Sequence, residues 1–345
     1  MAKIVTFGEI MLRLSPPGFE RLLQSPQLRA TFGGGEANVA ISLANFGLES
    51  HYVTRLPEHA VGEAAVRTLR AEGVRTDHVL RGGSRVGLYF AEVGASQRAS
   101  TVIYDRAHSA FSELQPGTVP WSKVLDGATW FHSTGITPAL GRNATACLRE
   151  ALEVARANGV TVSLDLNYRG KLWSKPAAQA AMRPLMPMVD VVIANEEDLQ
   201  SVLGVSVPRS DAAVGGLDVS DTVGYEQAMR EVAAEFGPRH VAVTLRQSLS
   251  ASDNRWRALL LETESGTLHS SQQYEIRLVD RIGAGDSFAA GLIFGLATGR
   301  TSADALRFAV AASALKQTIP GDYNRVSVAE VDRLVAGDVS GRVQR

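Results

Sequence analysis

The stretch DRIGAGDSFAAG, residues 280–291, carries most of the information about the fold. It follows the strand-like run QQYEIRLVD and leads into FAAGLIFGLA, in which Phe288, Leu292 and Leu296 recur at helical spacing. Its glycines are therefore predicted to form a turn between a strand and a helix. The first N–H groups of a helix lack internal partners and the helix dipole adds positive charge there, so such a turn can bind an anion.

Asp286 places a carboxylate beside this predicted anion site. Gly283 and Gly285 leave the amides of Gly283, Ala284 and Gly285 open to close approach by an oxyanion. Phosphoryl transfer to an alcohol needs this combination, a base for the hydroxyl proton and fixed dipoles for the charge on the transferred group. The alternative is that Asp286 only complements a helix N-terminus, since short glycine-rich motifs are weak evidence by themselves.

Composition limits the classes of protein to consider. With 345 residues, a net charge of −1 and 45% hydrophobic residues, the chain can form one large domain or one domain with an appendage. The charge does not indicate nucleic-acid or membrane partners, and the single cysteine, Cys147, excludes internal disulfides. The start MAKIVTFGEI reads as a strand rather than a leader, and no apolar run approaches membrane length. We therefore expect a soluble, cytoplasmic protein.

A second glycine-rich segment, GGGEAN at 33–38, opens the apolar helix VAISLANFG. Glu36 and Asn38 offer a carboxylate and an amide beside backbone that a ligand can approach. A turn with a capped helix is an equally good interpretation of the segment alone. Asn38 stands where the third glycine of GxGxxG would fall, and GxxxxGK[ST] is absent, so dinucleotide binding is disfavoured.

Two strand-like runs between residues 85 and 106, VGLYFAEV and STVIYDR, are joined by the polar GASQRA and predict a hairpin. Tyr89, Tyr104 and Arg106 could line its polar face over a substrate. Alternatively, the tyrosines pack across strands and Arg106 is solvated.

From about residue 128 onward, strands and helices alternate, which predicts a parallel sheet covered by helices on both faces. Ligands in such folds bind at the carboxyl ends of the strands. We predict irregular chain at 18–32, surface loops at 204–223 and 246–255, and helices near 302–318 and 327–336. Polar residues follow the predicted strands at Ser133–Gly135, at Asp165, Asn167 and Arg169, at Asn195–Asp198 and at Asp280–Asp286.

Together, GGGEANVA, the strand and helix alternation and DRIGAGDSFAAG resemble the signature regions of the ribokinase-like (PfkB) carbohydrate kinases over essentially the whole chain. HSTGITPAL at 132–140 and SLDLNYRGKLWS at 163–174 are similar to segments of the family members that phosphorylate 2-keto-3-deoxygluconate. The resemblance implies one α/β domain over 1–345, with a doubly wound, mainly parallel sheet. It also implies a small β lid from roughly 10–32 and 85–106.

The resemblance also implies roles for individual residues. Asp286 would be the base, with the amides of Gly283, Ala284 and Gly285 as the anion hole. The expected cofactors are ATP and Mg²⁺, and the resemblance leaves open whether a monovalent cation is used. The substrate residues would be Gly34, Glu36, Asn38, Tyr89, Tyr104, Arg106 and Arg169. The nucleotide residues would be Asn195, Thr244, Arg246, Gly283 and Gly285, with Asp198 holding the metal through water.

The expected reaction is ATP-dependent phosphorylation of 2-keto-3-deoxygluconate at its terminal hydroxyl. Arg106 and Arg169 favour a sugar acid, because a guanidinium binds a carboxylate bidentately. Two alternatives remain: a kinase of a neutral sugar such as fructose or ribose, and a non-catalytic sugar or nucleotide sensor. The expected partners are small molecules only, and exposed lid strands favour a homo-oligomer.

Three departures from the family pattern affect the nucleotide side. Asn195-Glu196-Glu197-Asp198 stands where Asn-x-x-Glu is usual, which puts the hold on magnesium in doubt. Arg281 replaces a small or β-branched residue next to the expected monovalent-cation site. The polar run RQSLSASDNR replaces the usual glycine-containing nucleotide turn.

Overall fold

A computed structural model describes residues 2–195, 197–207 and 222–338. The strands of the larger sheet are β1 (Lys3–Phe7), β4 (Glu49–Leu56), β5 (Val79–Arg81), β8 (Trp130–Thr134), β9 (Thr161–Asp165), β10 (Val191–Ala194), β11 (His240–Ser248), β12 (Asp253–Glu262), β13 (Thr267–Ser270) and β14 (Tyr274–Arg277). A smaller sheet contains β2 (Met11–Ser15), β3 (Arg29–Gly33), β6 (Leu88–Glu92) and β7 (Thr101–Asp105). The smaller sheet is separate from the larger one, as the resemblance implies, and its function as a lid remains a prediction.

Ten α-helices lie in the described residues. They are α1 (Gly35–Asn45), α2 (Ala60–Ala71), α3 (Trp121–Val124), α4 (Ile136–Ala139), α5 (Arg142–Ala157), α6 (Lys175–Met182), α7 (Val223–Phe236), α8 (Ala284–Ala297), α9 (Ser302–Lys316) and α10 (Val328–Val335). Local sequence explains several boundaries. Thr301 caps α9, and Ser327 with Glu330 forms a capping box at α10.

The larger sheet has the order β13-β12-β11-β10-β9-β8-β1-β4-β5, with β14 also paired to β12. Strands β11, β10, β9, β8, β1, β4 and β5 run parallel, whereas β12 is antiparallel to β11, β13 and β14. From β1 the strand order continues to β4 and β5 on one side and to β8, β9 and β10 on the other, so it changes direction at β1. Ligands in open α/β sheets bind at such a point.

Close packing of α8 on α9 positions the glycine-rich turn. A Cβ on Gly291 would lie 2.7 Å from Ala309 Cα, and one on Gly295 would lie 2.6 Å from Ala305 Cβ. The absence of side chains at these two positions lets the helix axes approach. The start of α8 is thereby fixed against the core.

The smaller sheet has the order β3-β2-β6-β7, with the predicted hairpin formed by β6 and β7. Its edge strand β7 exposes Ile103 and Tyr104, with 49% and 38% of their surface accessible. An open edge of this kind can pair with another chain. The homo-oligomer remains a prediction.

Two of the predicted loops were assigned incorrectly. Residues 18–28 are irregular as predicted, but residues 29–32 belong to β3, which pairs with β2 from Met11↔Gly33 to Ser15↔Arg29. Residues 246–255 form a hairpin in which β11 and β12 pair out to Ser248↔Asn254. These segments form strands because they pair with a neighbouring strand, in spite of their polar composition. Hydrophobic periodicity does not detect strands of this kind.

Most of the predicted loop 204–223 lies outside the described residues, which omit 208–221. At its start, Val205 and Val207 are buried in the core, and at its end Val223 begins α7.

Candidate active site

A cavity of about 410 Å³ lies between the carboxyl ends of the central strands and the smaller sheet. Its size is within the range of small-molecule sites. The residues to which the resemblance gave catalytic, substrate, nucleotide or metal roles all line it: Gly34, Glu36, Asn38, Tyr89, Tyr104, Arg106, Arg169, Asn195, Asp198, Thr244, Arg246, Gly283, Ala284, Gly285 and Asp286.

The turn before α8 forms one wall. Gly283 has φ of 81°, and a Cβ there would lie 2.1 Å from the Asp322 carbonyl oxygen, so glycine is required. A Cβ on Gly285 would meet nothing within 4 Å, which leaves its backbone open to the cavity. The Ala284 amide donates a long hydrogen bond, 3.3 Å, to the Arg281 carbonyl. An anion would have to compete for that amide.

The carboxylate of Asp286 faces the start of α1. Asn38 Nδ2 donates to Asp286 Oδ2 at 2.7 Å, and Asn38 Oδ1 accepts from the Gly34 amide at 3.4 Å. Two helix N-termini thus meet at one carboxylate. Burial raises the pKa of Asp286 to about 6, while the hydrogen bond from Asn38 opposes the shift.

Gly34 and Glu36 have structural partners beside the cavity. A Cβ on Gly34 would lie 2.1 Å from the Glu9 carbonyl oxygen. Glu36 Oε1 accepts from Thr134 N at 3.1 Å, Thr134 Oγ1 at 2.8 Å and Thr137 Oγ1 at 3.1 Å. Burial raises the pKa of Glu36 to about 7. Glu36 therefore joins α1 to the end of β8, which ties the two walls together.

The lid side carries a buried ion pair. Arg106 Nε donates to Glu9 Oε2 at 2.8 Å, Nη2 bonds the same oxygen, and the guanidinium lies 5.7 Å from the Tyr104 ring centroid. Glu9 Oε1 is buried with no hydrogen-bond partner among the described residues. Glu9 was missed by sequence analysis, although a carboxylate just after the first strand was a detectable signal.

Asp322 is a second residue that the sequence did not reveal. Its carboxylate accepts a hydrogen bond from the Tyr89 hydroxyl and pairs with Arg13 of β2. Arg13 also pairs with Asp280 at 2.7 Å, and all three charged side chains are buried. This network fastens the lid strand to the turn at 280. Asp322 follows a Pro-Gly break, a position at which sequence predicts only a turn.

At the ends of β9 and β10, acidic groups cluster around Arg169. Asp198 Oδ1 accepts from the Tyr168 amide and Oδ2 from the Asn195 amide, each at 3.1 Å. Burial raises the pKa of both Asp165 and Asp198. Arg169 Nη1 donates to the Tyr168 carbonyl at 3.0 Å. The neighbouring Glu196 lies outside the described residues.

The far end of the cavity is lined by the β11–β12 hairpin. Thr244 Oγ1 lies 3.4 Å from the Ala194 carbonyl oxygen, and Arg246 lies beside it. Asn254 and Trp256 of β12 also line this end, and their Nδ2 and Nε1 atoms are buried without a hydrogen-bond partner among the described residues. Sequence analysis missed both, because it assigned Asn254 to a surface loop that ends just before Trp256.

Comparison with known proteins agrees with this geometry. The family model for pfkB family carbohydrate kinases matches residues 1–328. The chain belongs to the pfkB family. A curated relative in Haloferax volcanii, named 2-dehydro-3-deoxygalactonokinase, is 34% identical over 340 residues, covering 99% of this chain and 98% of the relative.

Solved structures of pfkB proteins are also similar. The 2-dehydro-3-deoxygluconokinase of Thermotoga maritima is 50% identical with a TM-score of 0.93, covering 98% of this chain and 100% of that one. A structure described as a putative 2-keto-3-deoxygluconate kinase from Enterococcus faecalis is 28% identical with a TM-score of 0.90, covering 100% of this chain and 99% of that one.

Membership of the pfkB family confirms two expectations. The ribokinase-like α/β fold with a separate small sheet is correct, and the protein is a carbohydrate kinase. The non-catalytic sensor is therefore set aside. In the part of the chain that the structure describes, no helix combines the length and apolar character needed to cross a bilayer.

Proposed function

We propose that this kinase transfers the γ-phosphoryl group of ATP to the terminal hydroxyl of 2-keto-3-deoxygluconate, giving 2-keto-3-deoxy-6-phosphogluconate. The observation that carries the proposal is the carboxylate of Asp286 beside the open first turn of α8, in a cavity that also holds two arginines. The names of the similar proteins support a 2-keto-3-deoxy sugar acid as the substrate class.

In the proposed step, Asp286 accepts the proton of the terminal hydroxyl. The hydroxyl oxygen forms a bond to the γ-phosphorus while the bond from that phosphorus to the ADP oxygen breaks. The amides of Gly283 and Gly285 stabilise the charge on the transferred group, with Ala284 joining if its 3.3 Å bond to Arg281 lengthens. Positioning and charge stabilisation supply most of the catalysis in phosphoryl transfer.

Arg169 is the stronger candidate to bind the substrate carboxylate. Arg106 already directs Nε and Nη2 to Glu9, whereas Arg169 donates from Nη1 to the backbone carbonyl of Tyr168. A guanidinium has five N–H donors, so both arginines keep donors for a ligand. Gly34, Asn38, Tyr89 and Tyr104 would enclose the sugar, with the unpartnered Glu9 Oε1 as a further acceptor for a hydroxyl.

The nucleotide would occupy the end of the cavity lined by Thr244, Arg246 and Asn195. The unpartnered donors of Asn254 and Trp256 support this assignment, because buried polar atoms without partners are uncommon in folded proteins.

Mg²⁺ suits the oxygen donors next to this end. Within the described residues there is no group of three or more side chains arranged to hold a metal directly, and the oxygens of Asp198 already accept backbone amides. Asn195 and Asp198 would therefore hold the ion through water, since Mg²⁺ keeps several waters and binds phosphates. When bound, the ion neutralises charge on the phosphates.

A coupled ADP-release assay with Mg²⁺ tests the proposal. The substrates are 2-keto-3-deoxygluconate, its galacto epimer, fructose and ribose. We expect the highest kcat/KM with 2-keto-3-deoxygluconate and a product phosphorylated at the terminal carbon by ³¹P NMR. Preference for fructose or ribose would favour the neutral-sugar alternative. Preference for the galacto epimer would replace 2-keto-3-deoxygluconate by that epimer as the proposed substrate.

The Arg169→Ala variant should raise KM for the sugar acid about 10- to 100-fold. A hydrogen bond to a charged group contributes about 1.5–3 kcal/mol, and each 1.4 kcal/mol is a factor of ten. Turnover of a neutral sugar, where measurable, should change little. Arg255→Ala is the matched control, because Arg255 pairs with exposed Glu275 at 3.0 Å. An unchanged KM would remove Arg169 from the carboxylate site.

On the acid side of its pH profile, kcat/KM should have its midpoint near pH 6. A base must be unprotonated, and burial raises the pKa of Asp286 to about 6, so kcat/KM should drop as pH falls through that value. Asn38→Ala should move the limb to higher pH, because the Asn38 hydrogen bond favours the charged carboxylate. Profiles measured between about pH 5 and pH 8 check both shifts. A limb near the ordinary pKa of an aspartate would contradict the assignment.

A further inference from the structure

Lys316, the last residue of α9, is completely buried. Its ammonium group, Nζ, donates to the backbone carbonyl oxygen of Asp280 at 3.1 Å. Burying an ammonium group costs free energy unless nearby groups compensate its charge. The proposed phosphoryl transfer gives no role to this lysine, although its ammonium group is buried against the first residue of the glycine-rich turn.

The surroundings of Lys316 are strongly charged. Burial lowers the pKa of Lys316, while the carboxylates of Asp280, Asp322 and Asp286 oppose the shift. Arg13 is the other cation of the cluster, and it pairs directly with Asp280 and Asp322. Two cations thus face three carboxylates, and they contact Asp280 differently, Lys316 at its backbone carbonyl and Arg13 at its side chain.

The same part of the chain holds the turn by backbone bonds as well. The carbonyl of Gln317 accepts from the amides of Val279 and Asp280 at 2.9 and 3.2 Å. Asp280 Oδ1 in turn accepts from the Ile282 amide at 3.0 Å, immediately before Gly283. The position of the Asp280 peptide therefore determines where the amides of Gly283 and Gly285 point.

Backbone carbonyl oxygens are also the ligands that alkali cations prefer in proteins. At Asp280, Lys316 and not a metal ion supplies the positive charge next to the carbonyl. The guanidinium of the next residue, Arg281, lies 3.5 Å from Asn254 Oδ1. A monovalent metal ion at this carbonyl would be placed against a fixed ammonium group. The residues of the turn therefore do not fit the monovalent cation that the sequence resemblance left open.

We propose that Lys316 acts as a built-in cation, a positioning residue that holds the Asp280 turn and with it the anion hole. The kinase then needs no added monovalent cation. This inference rests on the proposed role of the amides of Gly283 and Gly285 in phosphoryl transfer.

The first test uses the unmodified protein. Turnover is measured with Mg²⁺ and ATP in potassium, sodium or choline chloride at equal ionic strength. If Lys316 supplies the cation, we expect equal turnover rates in all three salts. Stimulation by potassium of about tenfold or more over choline would overturn the inference and leave the proposed kinase function intact.

The second test replaces the cation chemically. Lys316→Ala should lower kcat about 10²-fold, the effect expected for a misplaced catalytic geometry. Propylammonium, which has the atoms removed by the substitution, should restore part of the activity. The neutral propanol, of similar size, should not. Full activity of the variant, or equal recovery with propanol, would overturn the inference.

Lys3→Ala is the matched control. Lys3 Nζ also donates to backbone carbonyls, those of Val124 at 3.1 Å and Asp126 at 2.6 Å, far from the turn. We expect normal turnover for this variant and no response to propylammonium.

Melting temperature gives a readout that does not depend on turnover. For Lys316→Ala, propylammonium should raise the Tm more than propanol does, and for the unmodified protein potassium should give the same Tm as choline. Potassium-specific stabilisation of the unmodified protein would overturn the inference. If the variant does not fold, the salt comparisons on the unmodified protein decide the question.

Discussion

Asp286→Asn is expected to reduce kcat by about 10²- to 10⁴-fold, the contribution typical of a positioned general base. Asparagine has the same shape and can still accept from Asn38 Nδ2, so the contact between the starts of α1 and α8 should persist. The substituted side chain cannot take the hydroxyl proton. The measurement is ADP release at saturating ATP and sugar acid, with far-UV circular dichroism and Tm to verify folding.

Asp304→Asn is the matched control for this prediction. Asp304 is also an acidic residue in the first turn of a helix, α9, but it is exposed and pairs with Thr301 and Arg307. Its substitution should leave turnover unchanged. If Asp286→Asn kept near-normal turnover while folding correctly, Asp286 would only complement its helix, and the proposed mechanism would lose its base.

Arg13→Met should lower the free energy of unfolding by about 3–5 kcal/mol, the cost of breaking a buried ion pair by removing one partner. Arg13 is 3% exposed and pairs with both Asp280 and Asp322. Methionine fills similar space without charge, so the two carboxylates stay buried and lose their guanidinium partner. Urea unfolding followed by circular dichroism measures the difference.

Arg85→Met provides the comparison on the same side of the molecule. Arg85 pairs with Asp105 at the exposed end of β7, where solvent screens the interaction. Its loss should change the free energy of unfolding far less than the loss of Arg13. Equal effects of the two substitutions would show that the Arg13 cluster does not fasten the lid to the 280 turn.

The position of the glycine-rich turn and Asp286 at the start of a helix was largely predictable from the sequence. Gly283, Gly285 and Asp286 lie in one short segment, and the preference of anions for helix N-termini is a local property. The alternation of strands and helices likewise fixed the parallel order of the core and the strand ends that meet at the cavity. Periodicity also gave the boundaries of α9 and α10 to within two residues.

The polar hairpin was missed because its order depends on pairing between chain segments. RQSLSASDNR contains no hydrophobic period, yet Ser248 pairs with Asn254 and continues two core strands into the cavity wall. This pairing places Asn254 and Trp256, the residues proposed to contact the nucleotide, at the cavity. Sequence composition reports the polarity of a segment but not its cross-strand partner.

For this protein, sequence alone determined the fold class, the kinase family and the group of residues around the cavity, because local periodicity and short motifs encode them. Only the tertiary structure decided which of those residues are already paired. Arg106 is held by Glu9, Glu36 by Thr134 and Thr137, and the Asp280 carbonyl by Lys316. These partners are far apart in the chain, so only the packing of the folded chain brings them together.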